Sequence, residues 1–299
     1  MTAADGPITA SVALDEQYVL GEGPYWDRHR GVLLWVDIKR GTVMVGRLTE
    51  RDSIEVVERV QFEGTIGAVA TSEDNDWIVA GEREVFRRTS SGKVLPGVSV
   101  IPAEMKSRLN DGKPDPAGRY LVGSLALGDA ENRERLVAVD SRASVRVIDQ
   151  DLSLSNGLAW SPDGSMLYNV DSYRRRVYAR PYDVATGATG PRSLLIESDT
   201  GYPDGMCSDA QGHLWIAMWG LGEVRRYSPD GLLETTVRVP APHVSSVAFA
   251  GPDLETLVIT TATSELSDDQ LRRWPLSGRL FTARPGVRGL RQSSWAGTL

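Results

Sequence analysis

Residues 156–164 read NGLAWSPDG: a polar residue and a glycine, then apolar or small residues, then a turn. Related phrases recur along the chain, and their second residues are spaced by 44, 45, 45, 48 and 41 positions. The six phrases are EGPYWD from Glu22, IGAVATS from Ile66, DGKPDPAG from Asp111, NGLAWSPDG from Asn156, DGMCSDAQG from Asp204 and the degenerate SSVAFAGPD from Ser245. A period of about 45 residues is typical of repeat architectures, in which every unit folds in the same way.

Short runs rich in β-branched and aromatic residues follow each phrase. Val32–Val36, Met166–Val170 and Leu214–Ala217 are examples, and turn sequences such as Pro-Asp-Gly separate the runs. About four strands in each of six periods predict an all-β, six-bladed β-propeller. A single four-stranded blade cannot cover its own apolar faces, so it packs against its neighbours in a ring. The alternative is two packed β-sandwiches, which the even spacing disfavours.

The chain length fits one such propeller. Its 299 residues, 41% of them hydrophobic and 24% charged, have an ordinary globular composition. We therefore expect a single domain over residues 1–299. The segment Ile8–Leu20 precedes the first repeat, and we expect it to close the last blade by adding an edge strand.

Charge and cysteine content exclude several classes of protein. The net charge of −7 argues against a broad nucleic-acid surface, which needs basic residues. A single cysteine, Cys207, excludes an internal disulfide and a thiolate metal cluster. The start MTAADGPITA lacks the features of a signal peptide, and no stretch approaches 18 consecutive apolar residues. We expect a cytoplasmic protein without nucleic-acid or membrane partners.

In each phrase, the residue just before the glycine (or before Ser246 in the sixth phrase) is called the repeat position. It lies at the start of the first strand of its blade, facing the mouth of the central channel. Three of these six positions are acids and one is an amide: Glu22, Ile66, Asp111, Asn156, Asp204 and Ser245. Oxygen side chains that converge on one axis repel each other, and a bound cation would compensate. All-oxygen ligands favour Ca²⁺, Mg²⁺ or Mn²⁺, and Zn²⁺ remains open. The alternative is that each Asn-Gly or Asp-Gly pair only forms a turn.

At these residues the sequence resembles the gluconolactonase and regucalcin (senescence marker protein) family of six-bladed propeller lactonases. The resemblance covers nearly the whole chain, in the family's order. The matching stretches are LGEGPYWD from Leu20, RLNDGKPDPAGRY from Arg108, LSNGLAWSPDG from Leu154, YPDGMCSDAQGHLWIA from Tyr202, VSSVAFAGPDLETLVIT from Val244, SGRLF from Ser277 and PGVRG from Pro285.

The resemblance implies a set of site residues. It implies one divalent metal ion held by Glu22, Asn156 and Asp204, which are three of the positions found from the repeat. It implies substrate contacts from Arg108 and Asn110 in the RLND phrase. It also implies that Asp204 is both a metal ligand and a general base.

One region departs from the family pattern. Regucalcin-like members carry an acidic pair shortly after the GRY stretch, and one of the two acids contacts the sugar. Here Leu127 and Gly128 stand at those places. Either Asp129 or Glu131 substitutes for the missing acid, or the sugar pocket differs. By the same resemblance, Asp111 is expected to support its loop rather than bind the metal.

Aromatic residues and histidines in the loops near the channel mouth have ordinary structural roles as an alternative to functional ones. Tyr173 and Trp219 could line the pocket walls and stack on a sugar ring, although aromatic residues in propellers mostly pack between blades. We interpret the three histidines, His29, His213 and His243, as surface residues rather than catalytic ones.

These features predict a metal-dependent hydrolase that opens a sugar-acid lactone, an aldonolactone. The metal would polarise the lactone carbonyl, and Asp204 would take a proton from the attacking water. The sequence leaves glucono-, xylono-, arabino- and galactono-lactone open, as well as the oligomeric state. The alternatives are another metal-dependent ester or phosphotriester hydrolase on the same propeller, and a non-catalytic calcium or sugar-acid binding protein.

Overall fold

Six separate β-sheets and one short helix make up the structure, a computed structural model that describes residues 8–128 and 132–299. Strands that follow one another in the chain pair antiparallel within each sheet. This confirms the predicted six-bladed β-propeller with four antiparallel strands to a blade. Two packed sandwiches are excluded, because each repeat of about 45 residues forms a sheet of its own.

The strands follow the repeat in chain order. The N-terminal strands are β1 (Ile8–Thr9) and β2 (Ser11–Leu14). The first three blades are β3–β6 (Gly21–Asp27, Val32–Asp37, Thr42–Leu48, Ile54–Gln61), β7–β10 (Ala68–Thr71, Trp77–Ala80, Glu84–Arg88, Val98–Ser99) and β11–β14 (Ser107–Pro114, Tyr120–Ala126, Glu134–Val139, Val145–Leu152). The last three are β15–β18 (Ser155–Trp160, Met166–Asp171, Arg176–Pro181, Ser193–Glu197), β19–β22 (Tyr202–Ser208, Leu214–Trp219, Glu223–Tyr227, Leu233–Arg238) and β23, β24 and β25 (Val244–Ala250, Thr256–Thr261, Leu280–Ala283), with helix α1 (Asp268–Arg273) before β25.

The N-terminal segment supplies the fourth strand of the sixth blade. Strand β2 pairs antiparallel with β25, with Ser11 opposite Thr282 and Val12 opposite Phe281. Strand β1 runs on to the fifth blade and lies parallel to β22. Hydrogen bonds between the two ends of the chain therefore close the ring, and the outer edge of β25 is covered.

Burial decreases from the centre of the ring outwards. Strands β15 and β23 are buried along their whole length, whereas β6 and β14 alternate between buried and exposed residues or are largely exposed. Apolar side chains of adjacent blades pack together between the sheets. The five tryptophans that fall in strand runs are all buried: Trp26, Trp35, Trp77, Trp160 and Trp215. The innermost strands are thus held firmly enough to position side chains in the channel.

A β-bulge interrupts most of the innermost strands at the repeat phrase. Within the described residues the register shifts in five of the six innermost strands, for example between Glu22 and Tyr25 in β3 and between Asn156 and Leu158 in β15. A bulge re-aims the side chains beside it. The bulges therefore affect which side chains at the repeat phrase face the channel.

The C-terminal segment crosses one mouth of the channel, the one at which the innermost strands end. Its main-chain amides donate to carbonyl oxygens of four blades: Gly289 to Leu254 at 2.8 Å, Leu290 to Ser208 at 2.9 Å, Trp295 to Thr71 at 2.9 Å and Ala296 to Gly118 at 3.0 Å. Ser208 and Thr71 are the last residues of two innermost strands, β19 and β7, whose first residues face the opposite mouth. The two mouths therefore differ, since one is crossed by the chain and the other is lined by the predicted site residues.

Helix α1 begins after Ser267, which forms a capping box with Gln270. Among the residues that the structure describes, no helix has the length and apolar character needed to cross a membrane.

Candidate active site

The beginnings of four innermost strands bring the predicted site residues into one cavity of about 240 Å³. Glu22 lies on β3, Asn156 on β15 and Asp204 on β19, while Arg108 and Asn110 both lie on β11. All five are between 5% and 8% exposed. Residues that are far apart in the sequence thus meet at one mouth of the channel.

Glycines next to these residues allow the innermost strands to approach closely. A Cβ atom on Gly157 would lie 2.4 Å from the main-chain oxygen of Asp204, and one on Gly67 would lie 2.3 Å from that of Asn110. No side chain larger than hydrogen fits at either place without a shift of the backbone. The repeat glycine therefore sets the distance between adjacent innermost strands.

A chain of hydrogen bonds links the polar side chains of the cavity. Arg108 Nη1 donates to Asn110 Oδ1 at 2.9 Å, and Asn110 Nδ2 donates to Asn156 Oδ1 at 3.2 Å. Asn156 Nδ2 in turn donates to Asp204 Oδ1 and, at 3.1 Å, to Ser172 Oγ. The orientation of Asn110 thereby depends on both its neighbours, and Arg108 is connected to Asp204 through two amides.

The carboxyl groups of Glu22 and Asp204 are buried, and Arg108 alone does not balance their negative charges. Burial, followed by the charge of Asp111, raises the pKa of Glu22 to about 8. Burial, then the charges of Glu22 and Asp111, raise the pKa of Asp204 well above its ordinary value. Burial lowers the pKa of Arg108 to about 10, against the charges of Glu22, Tyr173 and Asp204. The cavity therefore favours an additional cation beside its carboxylates.

The other three repeat positions do not line this cavity. Asp111 is buried, and burial raises its pKa. Ile66 packs in the apolar core between blades. Ser245 Oγ donates to the main-chain oxygen of Gly21 at 2.5 Å, which joins the sixth blade to the first. Repeat position alone therefore does not mark a residue as a cavity residue.

Aromatic side chains form the outer wall of the cavity. Tyr173 and Trp219, which the sequence suggested as wall residues, both line it, and so does Tyr202. The rings of Tyr173 and Tyr202 meet edge to face with centroids 6.4 Å apart. Tyr202 was not predicted from the sequence, although it begins the same strand, β19, two residues before Asp204.

His243 supports this wall, and its interpretation as a surface residue is wrong. Its half-buried ring stacks on Trp219 with centroids 4.1 Å apart, and Nδ1 donates to the main-chain oxygen of Ser264 at 2.9 Å. Burial lowers the pKa of His243. His213 is also largely enclosed, with Nε2 at 3.1 Å from Glu234.

The region that departs from the family pattern contributes little to the described cavity. Leu127 and Gly128 are exposed and do not line it, whereas Leu125 does. Asp129 and Glu131 lie outside the described residues. An acid that sequence reasoning missed, Glu265, lines the cavity from the loop before α1. Its loop lies outside the repeat phrases, so no pattern in the sequence marked it.

Comparisons with known proteins show which family the chain resembles. A family model described as the SMP-30/gluconolactonase/LRE-like region matches residues 20–263. A 6-deoxy-6-sulfogluconolactonase of Pseudomonas putida is 34% identical over 293 residues, covering 97% of this chain and 99% of the relative. A regucalcin of Xenopus laevis is 32% identical over 303 residues, with the same coverage.

A solved structure has the same fold. The calcium-binding regucalcin of Agrobacterium tumefaciens superposes with a TM-score of 0.89 at 27% identity, covering 98% of both chains. Sequence and fold agree over nearly the full length, and the chain belongs to the SMP-30/gluconolactonase/LRE-like family, in which lactonases and regucalcins are found.

Proposed function

We propose that this protein is a metal-dependent hydrolase that opens an aldonolactone, with Asp204 as the general base. The observation that carries the proposal is the convergence of Glu22, Asn156 and Asp204 in one buried cavity, with Arg108 and Asn110 linked to them by hydrogen bonds. The named lactonase among the relatives supports the same activity.

The residues of the cavity fit a hard divalent cation. Glu22, Asn156 and Asp204 would hold it through oxygen atoms, which Ca²⁺, Mg²⁺ and Mn²⁺ prefer and Zn²⁺ accepts less readily. Only two of the three are charged, and the described residues contain no cluster of three or more His, Cys, Asp or Glu that could hold a metal. Asn156 presents its amide nitrogen to Asp204, so binding through its oxygen requires the amide to turn over. A calcium-binding relative supports Ca²⁺ as the first metal to test.

The chain's own residues supply the other requirements of the reaction. A divalent cation held by Glu22, Asn156 and Asp204 would supply Lewis-acid polarisation of the lactone carbonyl. Asp204 accepts a proton from the water that adds to the carbonyl carbon. When the ring C–O bond breaks, Asp204 returns that proton to the departing oxygen, and the product is an open hydroxy acid. Arg108 donates hydrogen bonds to the substrate, and Asn110 fixes the orientation of the guanidinium.

The cavity suits a small polar substrate. Its volume of about 240 Å³ is below the roughly 300 Å³ at which drug-sized ligand pockets begin. Tyr173, Tyr202 and Trp219 line the cavity, and we expect them to pack against a sugar ring whose polar groups reach the more deeply buried side chains. The panel of substrates therefore includes neutral aldonolactones of five and six carbons, together with the sulfonated gluconolactone named for the relative from Pseudomonas putida.

Asp204→Asn tests the general base. We expect kcat on the best aldonolactone to fall about 10²–10⁴-fold, because the amide cannot accept the water proton. Asp230→Asn, at an exposed aspartate in the turn after β21, is the control and should keep parental activity. Each variant is assayed with added Ca²⁺, Mg²⁺, Mn²⁺ or Zn²⁺, with metal content and melting temperature measured alongside. Near-parental turnover of the Asp204 variant would remove Asp204 as the base.

The same assay separates the alternative functions. Faster turnover of aryl esters or phosphotriesters than of any lactone would favour another metal-dependent hydrolase. Metal and lactone binding without turnover would favour a calcium or sugar-acid binding protein, an alternative that the regucalcin relatives support.

A further inference from the structure

Glu265 occupies a strained position at the rim of the cavity. Leu266 N donates to Thr263 O at 3.2 Å, which makes residues 263–266 a β-turn with Glu265 in third place. Its φ of +67° lies in the left-handed region, where this place in a turn normally holds glycine or asparagine. A residue with a Cβ atom, such as glutamate, is strained in this conformation.

Neighbouring elements hold this turn on both sides. Ser264 N donates to Val19 O at 2.8 Å, and Lys39 Nζ donates to Ser264 Oγ at 2.6 Å. His243 Nδ1 donates to Ser264 O at 2.9 Å, while its ring stacks on Trp219. The backbone that carries Glu265 is therefore fixed relative to the aromatic wall, and its strain is not relieved by movement of the loop.

The carboxylate of Glu265 is free to contact a ligand. It lines the cavity, is exposed, and accepts no hydrogen bond from the residues 8–128 and 132–299. Its charge reaches the opposite wall, where it is the second cause, after burial, of the raised pKa of Tyr173. Among the described residues that line the cavity, Arg108 is the one cation, and it lies with the buried carboxylates.

We propose that Glu265 determines substrate specificity. Its carboxylate accepts hydrogen bonds from hydroxyl groups on the portion of a sugar lactone that lies away from the reacting carbonyl. A carboxylate is a strong acceptor for such hydroxyls, and it repels a ligand that carries an anionic group at the same place. Glu265 thus supplies a charged hydrogen-bond acceptor from the sixth blade, and it selects neutral over sulfonated lactones. This inference rests on the proposed lactonase function.

Glu265→Gln tests the charge. The amide keeps the size and one acceptor oxygen, so we expect the KM for neutral gluconolactone to rise about 5-fold, equivalent to about 1 kcal/mol, with little change in kcat. For the 6-sulfonated lactone we expect kcat/KM to rise by a similar factor. A variant with parental values for both substrates, at parental metal content, would overturn the proposal.

Glu265→Gly separates a substrate role from a structural one. Glycine relieves the strain at positive φ, so the melting temperature should rise by a few degrees, while the KM for neutral lactone should rise at least as much as in Glu265→Gln. Ala143→Gly is the matched control, because Ala143 has a φ of +59° in the turn between β13 and β14, away from the cavity. It should gain stability without a change in KM, and the same result for Glu265→Gly would contradict a role in binding.

A binding measurement distinguishes failure of the proposed lactonase function from failure of the proposed role of Glu265. Calorimetric titration with gluconolactam, a neutral analogue that is not hydrolysed as an ester, should show weaker binding to Glu265→Gln than to the parent. If the parent binds the lactam but hydrolyses no lactone, the proposed function fails and the lactam affinities still test Glu265. If the parent neither binds nor hydrolyses these compounds, both proposals are wrong.

Discussion

Single glycines determine whether the candidate ligands can meet. Asn156 and Asp204 lie on adjacent innermost strands, and their side chains touch because Gly157 allows the strand of Asp204 to come close. Gly205 has the same role in the next blade, where a Cβ atom would lie 2.0 Å from Ser246 Oγ. The glycine of the repeat is therefore a requirement of distance rather than of turn conformation, except at Gly23, where φ is +54°.

Gly157→Ala should separate these two strands. The added methyl group meets a main-chain oxygen, which cannot rotate away, so we expect a loss of about 1–3 kcal/mol in the free energy of unfolding. Displacing Asn156 from Asp204 should weaken metal binding by about 10–100-fold. Urea unfolding and calorimetric metal titration measure the two effects. Gly128→Ala is the control, because none of residues 8–128 and 132–299 lies within 4 Å of the new methyl group. Equal behaviour of the two variants would contradict this interpretation.

At the scale of elements, three chain segments meet behind the aromatic wall. They are the end of β20 with Trp219, the residue before β23, and the loop from β24 to α1. His243 connects them by stacking on one segment and donating a hydrogen bond to another. Because it touches the wall from behind, it positions other residues and does not contact the reacting atoms.

Replacing His243 should affect substrate binding more than turnover. We expect His243→Ala to raise the KM for neutral lactone several-fold, because both Trp219 and the turn of Glu265 lose a support, while kcat stays within about twofold of the parent. His243→Phe keeps the stacking and loses the hydrogen bond, so its KM should lie between the two. Steady-state kinetics measure both constants, and a fall in kcat without a change in KM would show that His243 acts otherwise.

At the scale of the whole molecule, the two mouths of the channel have different structures. The C-terminal segment ties four blades together at one mouth, where Trp295 is 3% exposed and packs with the apolar core of the first three blades. The candidate site lies at the other mouth. A substitution in the C-terminal segment should therefore lower the stability of the protein without changing its lactonase kinetics.

Trp295→Ala tests this separation. Removal of a buried tryptophan typically costs about 3–5 kcal/mol, which lowers the melting temperature by roughly 6–15 °C for a chain of this size. Lactone kinetics at 25 °C should stay parental, because the opposite ends of the innermost strands hold the site. Trp274→Ala, at a tryptophan that is 37% exposed, should leave the melting temperature nearly unchanged. A raised KM in Trp295→Ala would mean that the segment also shapes the site.

The repeat itself predicted the number of blades and six candidate positions, from which the resemblance to the family selected Glu22, Asn156 and Asp204. A periodic sequence must place equivalent residues at equivalent points of a ring, so spacing predicts which strand beginnings converge. The resemblance to the family added Arg108 and Asn110, which break the repeat and could not be found from spacing.

Only the tertiary structure decided which repeat positions reach the cavity and which non-repeat residues join them. Asp111 shares the periodicity of Asp204 and yet does not line the cavity, because the side of the strand that a residue faces depends on the local bulge. Glu265 and His243 lie in loops, where no periodicity constrains the backbone, and contacts with Val19, Lys39 and Trp219 set their positions. Periodicity fixes positions along strands, whereas the walls of the pocket follow from packing between segments that are distant in the chain.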